Sequence, residues 1–211
     1  MKTEHNLTPG QEQLWIKASK LMEENNYFAA LSWAQLLLQS KPEFFEARVL
    51  ARQAAQYQLK VMSCNLLERY KIKFYSFIAL KKIKRLIKKE SFFQAMIALE
   101  SLLGKAPQNI AAHHVMVELA MQWKPPLQDV AFLSLETLVQ ADLGNSKKHI
   151  ALAAFCLKRD ETGKAWNPAR ALNAYEAVLG MDPYHLTAIQ GIKNATALLS
   201  MQQNGWDRDL L

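Results

Sequence analysis

The chain has 211 residues, half of them hydrophobic, with only seven glycines and seven prolines. This composition supplies apolar material for a continuous core and is typical of a helical protein with short connections. The first residues, MKTEHNLTPGQEQ, contain no apolar core, which excludes a secretory signal, and no window approaches the ~20 apolar residues of a membrane span. We therefore expect a cytoplasmic location.

The formal net charge of +7 comes from one segment. Eight basic residues and no acidic residue lie between Lys71 and Lys89. The other 18 Lys and Arg residues almost balance the 19 Asp and Glu residues, so the rest of the chain is close to neutral. This segment is therefore the candidate binding surface for anions.

The first helix is predicted to start at Thr8, after a flexible segment 1–7. Thr8 is a suitable N-cap, Pro9 takes the first helical position, and Gln11 completes a capping box. An Asn-Asn turn then leads into the next helix.

That next helix is one that the chain repeats. Residues 27–42 (YFAALSWAQLLLQSKP), 92–107 (FFQAMIALESLLGKAP) and 168–183 (PARALNAYEAVLGMDP) align with one another, and 127–142 (LQDVAFLSLETLVQAD) is a looser copy. Each copy has an alanine near its start and core residues four and seven positions later, which places the three on one helical stripe. The stripes are Ala30, Ala34 and Leu37; Ala95, Leu99 and Leu102; Ala131, Leu135 and Leu138; and Ala171, Tyr175 and Val178.

After the first copy, a helix is expected over about 44–58, and residues 59–73 are ambiguous. They fit either a short second helix of a degenerate repeat or a loosely packed connector, and we favour the helix. Residues 74–90 (FYSFIALKKIKRLIKKE) then form an amphipathic helix. Its apolar stripe consists of Ala79, Leu80, Ile83, Leu86 and Ile87, and basic residues occupy the rest.

This basic helix has two interpretations. It is either the solvated face of an ordinary repeat helix or a binding site for anionic lipid, nucleic acid or an acidic protein segment. Like charges four positions apart, such as Lys81 and Arg85, oppose helix formation by a few tenths of a kcal/mol per pair, and nothing in folding rewards them. The candidate anion-binding residues are Lys81, Lys82, Lys84, Arg85, Lys88 and Lys89.

The next helix pair is expected over about 110–123 and 127–140, separated by a rigid break at Lys124-Pro125-Pro126. Asn145 or Ser146 is expected to cap the helix after it.

An inserted polar loop is predicted at 160–166. Asn167-Pro168 then restarts the chain as N-cap and first helical position, and Asp182-Pro183 is expected to repeat that device. The final helix covers about 185–201 and is followed by a tail, 205–211.

Another helical segment precedes each copy, so the unit is a helix pair of about 34 residues. In this respect the chain resembles the tetratricopeptide repeat (TPR) family. The resemblance rests on the pattern of Tyr or Phe, Ala, a large apolar residue and Pro in the repeated helix, and on Leu14, Ala18 and Leu21 in the first leading helix. It covers roughly residues 11–200, and the chain departs from the family pattern over 45–75.

The resemblance implies an all-α fold, with about four TPR-like helix pairs in a right-handed superhelical solenoid. It also implies a single repeat domain over 8–204, in which the last helix is a polar-faced C-terminal cap.

Proteins of this family hold an extended or helical peptide on the concave surface of their leading helices. Carried over by the repeat register, the candidate partner-binding residues are Trp15, Ser19, Met22, Glu23, His114, Glu118, Met121, Ile150 and Lys158. Trp and Met side chains are suited to contribute most of the binding energy. Trp15 and Ser19 replace the Lys and Asn that a chaperone-tail clamp needs, so this clamp is not expected.

The sequence contains no phosphate-binding loop, paired CxxC, HExxH or nucleophile elbow. His113 and His114 point about 100° apart on a helix and are poorly placed to bind one metal; one is expected to pack inward and the other to face the groove. Cys64 and Cys156 are far apart in helical patterns, which favours reduced core thiols. We therefore expect a protein that is not an enzyme and that needs no metal or cofactor.

The leading hypothesis is a non-catalytic scaffold for protein–protein interaction that holds a protein or peptide partner in its groove. The alternative is a peripheral adaptor that docks on an anionic membrane surface or on nucleic acid through residues 74–90. Nucleic acid is the weaker form of this alternative, since Tyr70, Phe74, Tyr75 and Phe77 are the few aromatic residues near the charges. Self-association through the repeat face or the unpaired ends is a third hypothesis.

Overall fold

The computed structural model describes residues 7–61, 66–158 and 165–204, and these ranges contain helices and no β-strand. The helices are α1 (Pro9–Glu23), α2 (Tyr27–Ser40), α3 (Phe45–Val61), α4 (Leu66–Lys88), α5 (Phe92–Lys105), α6 (Ile110–Gln122), α7 (Gln128–Gln140), α8 (Ser146–Cys156), α9 (Pro168–Met181) and α10 (Leu186–Asn204). The prediction of an all-α fold is confirmed. No helix in the described ranges is both long enough and apolar enough to cross a bilayer.

Several helices start where the sequence indicates. Thr8 caps α1, since its Oγ1 accepts a hydrogen bond from the Gln11 N–H at 3.4 Å while the Gln11 Oε1 accepts one from the Thr8 N–H at 3.1 Å. Asn26 and Asn167 cap α2 and α9 through their side-chain oxygens, and Pro168 lies in the first turn of α9. Each cap satisfies a backbone N–H that a helix start leaves without an intrahelical partner.

The four repeated segments share one turn and one completely buried alanine. In every copy the residue 14 positions after the repeat alanine donates its backbone N–H to the carbonyl 11 positions after that alanine. These bonds run from Phe44 to Lys41, from Asn109 to Ala106, from Asn145 to Asp142 and from His185 to Asp182, at 3.0–3.2 Å. The four alanines themselves are all completely buried. The repeat read from the sequence is therefore present in the backbone and in the core.

The chain divides into two compact units, Met1–Val130 and Ala131–Leu211. In the first unit, α2 packs against α1 and α3, while α5 packs against α4 and also contacts α2, α3 and α6. In the second unit, α9 packs against both α8 and α10. The short connections between consecutive helices make packed neighbours antiparallel, which is the predicted helix-pair architecture. The handedness of the superhelix and the single domain over 8–204 stay predictions.

The region 59–73 differs from both of its interpretations. Residues 59–61 end α3, and α4 runs without a break from Leu66 to Lys88, so residues 66–73 are the first two turns of the basic helix and not a helix of their own. Residues 74–88 of the predicted basic helix are thus the last part of a 23-residue helix, which ends at Lys88. Residues 62–65, which include Cys64, lie outside the described residues.

The start of α10 also differs from the prediction. Asp182 is the C-cap of α9, and α10 begins at Leu186, so the expected role of Asp182-Pro183 as N-cap and first helical position is wrong. The Asp182 carboxylate instead accepts a hydrogen bond from the Tyr184 N–H at 3.1 Å, which closes a turn before the helix begins.

Trp166 was expected in a polar loop, but it is partly buried and packs against the core of the second unit. Its ring centroid is 4.9 Å from that of Phe132 and 5.7 Å from that of Phe155. The reason is the large apolar area that an indole ring buries beside other aromatic rings. Residues 1–6, 159–164 and 205–211, on which the flexible N-terminus, most of the polar loop and the tail were predicted, lie outside the described residues.

Candidate functional site

One face of α4 is fixed by packing against α5. Ile83 is completely buried and Ser76 is nearly so, while Ala79, Leu80, Leu86 and Ile87 are partly buried. These residues include the whole predicted apolar stripe, so the packed side of the helix was predicted correctly. The opposite side of α4 consequently faces solvent.

The first half of that solvent side is apolar. Tyr70 and Phe74 are 70% and 68% exposed, and Leu67, Phe77 and Ile78 are each more than half exposed. At 100° per residue these five side chains lie on the side of the helix opposite Ser76 and Ile83. We call Leu67, Tyr70, Phe74, Phe77 and Ile78 the aromatic patch.

The second half of the solvent side is basic. The six residues predicted to bind anions are all exposed: Lys81, Lys82, Lys84, Arg85, Lys88 and Lys89, which we call the basic patch. Four of these residues and Leu86 line a shallow open depression; the four are Lys82, Arg85, Lys88 and Lys89. The Lys81 ammonium lies 4.3 Å from the centroid of the Phe77 ring, so the two patches meet there in a cation–π contact.

The aromatic patch was missed in the sequence. Tyr70, Phe74 and Phe77 were noted as neighbours of the charges, but not as one surface. Their spacings of four and three are themselves a helical stripe, and this signal lay partly within the ambiguous segment 59–73.

The predicted partner-binding residues of the first leading helix lie along α1. Trp15, Ser19 and Met22 are partly buried, and Glu23 is exposed. Trp15 packs edge-on against Phe44, with ring centroids 5.3 Å apart, and thereby contributes to the core of α1, α2 and α3. Only part of the Trp15 ring is available to a partner.

The remaining predicted partner-binding residues lie on two other helices. On α6, His114 and Glu118 are exposed and Met121 is partly buried. In the second unit, Ile150 on α8 is partly buried and Lys158 just after α8 is exposed. Their assembly into one groove stays a prediction.

A buried charged cluster joins α3 to α5. The Arg48 Nε lies 2.6 Å from the Glu100 Oε1, and the Arg52 Nη2 lies 2.7 Å from the Glu100 Oε2. Two guanidiniums therefore share one carboxylate away from water. Burial opposes the ionisation of Glu100, but the two guanidiniums outweigh it and hold the pKa of Glu100 below its usual value. Burial, partly offset by Glu100, lowers the pKa of Arg52.

A related contact recurs at the repeat turns. Arg48 donates from Nη2 to the Pro42 carbonyl at 2.7 Å, and His113 donates from Nε2 to the Pro107 carbonyl at 2.8 Å. In the second unit the His149 ring lies in the same way 3.0 Å from the Leu143 carbonyl. Each side chain is six residues beyond its carbonyl, so three of the four copies use a buried nitrogen donor to satisfy the carbonyl at the turn, whereas the last copy has Ile189 at this position.

One of the two adjacent histidines packs inward, as the sequence indicated, and the position of the other in a groove stays a prediction. His113 is buried and its pKa is lowered to about 4, mainly because burial disfavours the charged ring. His114 is exposed. The described residues contain no group of three His, Cys, Asp or Glu side chains arranged to hold a metal ion.

Cys156 is buried as a free thiol, as predicted. Burial raises its pKa to about 12, so the reactive thiolate is suppressed.

No family model and no curated protein matches this sequence. Among solved structures, the chain is similar to a crystal structure of the MamA protein, with 11% identity, a TM-score of 0.39, and coverage of 92% of this chain and 85% of that one. It is also similar to the MamA RS-1 ArsTM double mutant, with 12% identity, a TM-score of 0.34, and coverage of 92% of this chain and 97% of that one. Both TM-scores are low, so the fold assigned to this chain rests on its own helices.

Proposed function

We propose that the helix pairs are divergent tetratricopeptide repeats and that the protein is a non-catalytic interaction scaffold for a protein or peptide partner. The observation that carries this proposal is the repeated unit itself. Four copies use the same turn and the same buried alanine, which is the way in which helical-repeat proteins build extended binding surfaces.

The residues proposed to contact the partner are those predicted on the leading helices. Glu23, His114 and Glu118 are exposed, and Met22 and Met121 are partly exposed, so these side chains are open to contact in the first unit. Methionines beside charged residues suit a groove that adapts to an amphipathic peptide. Trp15 adds a partly buried aromatic anchor.

An affinity pull-down from the native cell's nuclease-treated lysate tests this proposal. The variant Glu23→Lys/His114→Glu/Glu118→Lys alters only exposed side chains of α1 and α6, and Glu176→Lys on the exposed side of α9 is the control. We expect a defined partner that the wild type and the control retain and the triple variant loses. A partner retained equally by all three proteins would overturn the assignment of the groove.

A second candidate function is favoured by α4. Its basic patch is exposed, and no acidic residue occurs between Lys71 and Lys89. We propose as this second function that α4 attaches the scaffold to an anionic surface, either a membrane or a nucleic acid. Binding through these cations would weaken as salt is added, whereas binding in a groove built on Trp15 and Met22 would change much less.

A further inference from the structure

We propose that α4 docks on an anionic lipid bilayer with its solvent side parallel to the membrane. The aromatic patch enters the interfacial region, and the basic patch contacts the lipid phosphates. This inference rests on the second candidate function and deepens it, because it names the surface and gives the apolar side chains a role.

The shape of the solvent side suits a flat partner. From Leu67 to Lys88 the two patches follow one side of a single helix over about 32 Å, at 1.5 Å per residue. From Ser76 onward the opposite side is occupied by packing against α5, so this part of the helix is held with its solvent side outward. A helix fixed in this way can lie flat on a membrane without unfolding or leaving the protein.

The exposed side chains of the aromatic patch are apolar, so their contact with water is unfavourable and their burial against an apolar surface is favourable. Five large apolar side chains of one helix are each more than half exposed, and such a continuous patch is the usual mark of an interaction site. The rings of Tyr and Phe are suited to the boundary between headgroups and acyl chains, and Leu67 and Ile78 are suited to its apolar side.

The charges on the same side specify an anionic bilayer. The basic patch contains six exposed cations directly beside the aromatic patch, and the exposed Lys71 and Lys73 add two more in the first half of the helix. Each Lys or Arg near an anionic leaflet contributes about 1 kcal/mol of attraction. Apolar insertion and electrostatic attraction together give the two signals that stable peripheral binding requires.

Two other occupants fit less well. Single-stranded nucleic acid alternates bases with phosphates, whereas here the apolar residues and most of the cations occupy separate halves of the helix, and Leu67 and Ile78 have no ring on which a base can stack. A second copy of the chain would bring two clusters of eight cations together, at an electrostatic cost.

Co-sedimentation with vesicles tests the inference. The full chain is mixed with vesicles of phosphatidylcholine alone and of phosphatidylcholine with phosphatidylserine. The charge variant is Lys81→Gln/Lys84→Gln/Arg85→Gln/Lys88→Gln, and its matched control removes the exposed cations Lys20, Lys124, Lys147 and Lys193 in the same way. The patch variant is Phe74→Ser/Phe77→Ser, and its control is Phe28→Ser/Tyr184→Ser, which changes rings of 70% and 85% exposure. Far-UV circular dichroism checks that every variant is folded.

We expect binding to the phosphatidylserine vesicles only. The charge variant should lose about fivefold in partitioning per cation removed. The patch variant should lose roughly tenfold or more, because two inserted rings are replaced by polar groups. Both controls should bind as the wild type does.

The outcomes distinguish failure of the bilayer inference from failure of the second candidate function. If the charge variant loses binding and the patch variant does not, the inference is wrong and the anionic surface of the second candidate function remains. If the wild type binds neither kind of vesicle, the inference is wrong, and so is the membrane form of the second candidate function. Binding of a labelled single-stranded oligonucleotide would then support the nucleic-acid form. If the oligonucleotide does not bind either, the second candidate function is wrong in both forms. If the patch variant instead dissociates a dimer in sedimentation velocity while vesicles remain unbound, the occupant of α4 is a second copy of the chain.

Discussion

Arg48 and Glu100 form an ion pair of 2.6 Å in which both side chains are at most 4% exposed. Arg52 contacts the same carboxylate. The three side chains thus join α3 to α5 in a cluster with two positive charges and one negative charge. The Gln35 side chain of α2 also donates to the Glu100 carbonyl, which connects a third helix to this point. The first unit is therefore tied together by polar contacts as well as by apolar packing.

We predict that Glu100→Gln destabilises the protein by about 3–5 kcal/mol, because it leaves two buried guanidiniums without a counter-charge. Urea unfolding at neutral pH measures the change. Glu136→Gln, which removes a partly exposed ion pair to Arg170 at 3.7 Å, is the control and should cost less than about 1 kcal/mol. An equal cost for the two substitutions would mean that the buried cluster has no special role.

The pKa of His113 predicts a pH dependence of stability. Folding lowers this pKa from 6.5 to about 4, so between these values the unfolded chain binds a proton that the folded chain does not. The contribution of His113 to the free energy of unfolding is therefore fully present above pH 6.5. It decreases as the pH falls, by about 2 kcal/mol between neutral pH and pH 5. Urea unfolding of His113→Gln should lose this component, and His114→Gln should keep it. Parallel pH profiles for the wild type and His113→Gln would contradict the prediction.

We predict opposite effects on stability when each of two helical glycines is replaced by alanine. A Cβ at Gly191 would overlap the ring of the buried Tyr175, whereas a Cβ at Gly180 meets nothing within 4 Å. We expect Gly191→Ala to cost about 1–3 kcal/mol through overpacking and Gly180→Ala to add up to about 1 kcal/mol through helix propensity. Thermal and urea unfolding measure both, and Gly191→Ala/Tyr175→Leu should show favourable coupling. Stabilisation by both alanines would contradict the close packing of α10 on α9.

Cys156 should resist alkylation in the folded protein. Its pKa of about 12 leaves roughly one thiolate in 10⁴ at pH 8, and burial also blocks the reagent. Peptide mass spectrometry after iodoacetamide treatment, in buffer and in urea, measures the protection. Equal labelling rates in the two solvents would show that the core of the second unit opens readily.

The parts of the fold that the sequence predicted depend on local signals. Thr8 and Gln11 are three residues apart, and the spacings of the repeat alanines and their core partners lie within one helix. The starts of α1 and α9, the repeat and the packed side of α4 therefore follow from short-range geometry. The candidate groove was carried over from a family resemblance, and it stays a prediction.

Other features depend on tertiary packing and could not be derived in this way. Arg48 and Glu100 are 52 residues apart, and their contact exists only because α3 packs on α5. In the first half of α4, apolar residues occupy more than one side, so periodicity alone does not decide which side faces the core. The packing of Ser76 and Ile83 makes that decision and leaves Phe74 in solvent.

The proposed function requires that the leading helices of the first unit form a binding surface for a protein partner. Site-specific photo-crosslinking in the native cell tests it most directly, with the crosslinking residue placed at 23, 114 or 118 and at the control position 176. We predict that the three groove positions capture the same protein and that position 176 captures none of it. Equal capture at all four positions, or at none of them, would contradict the claim.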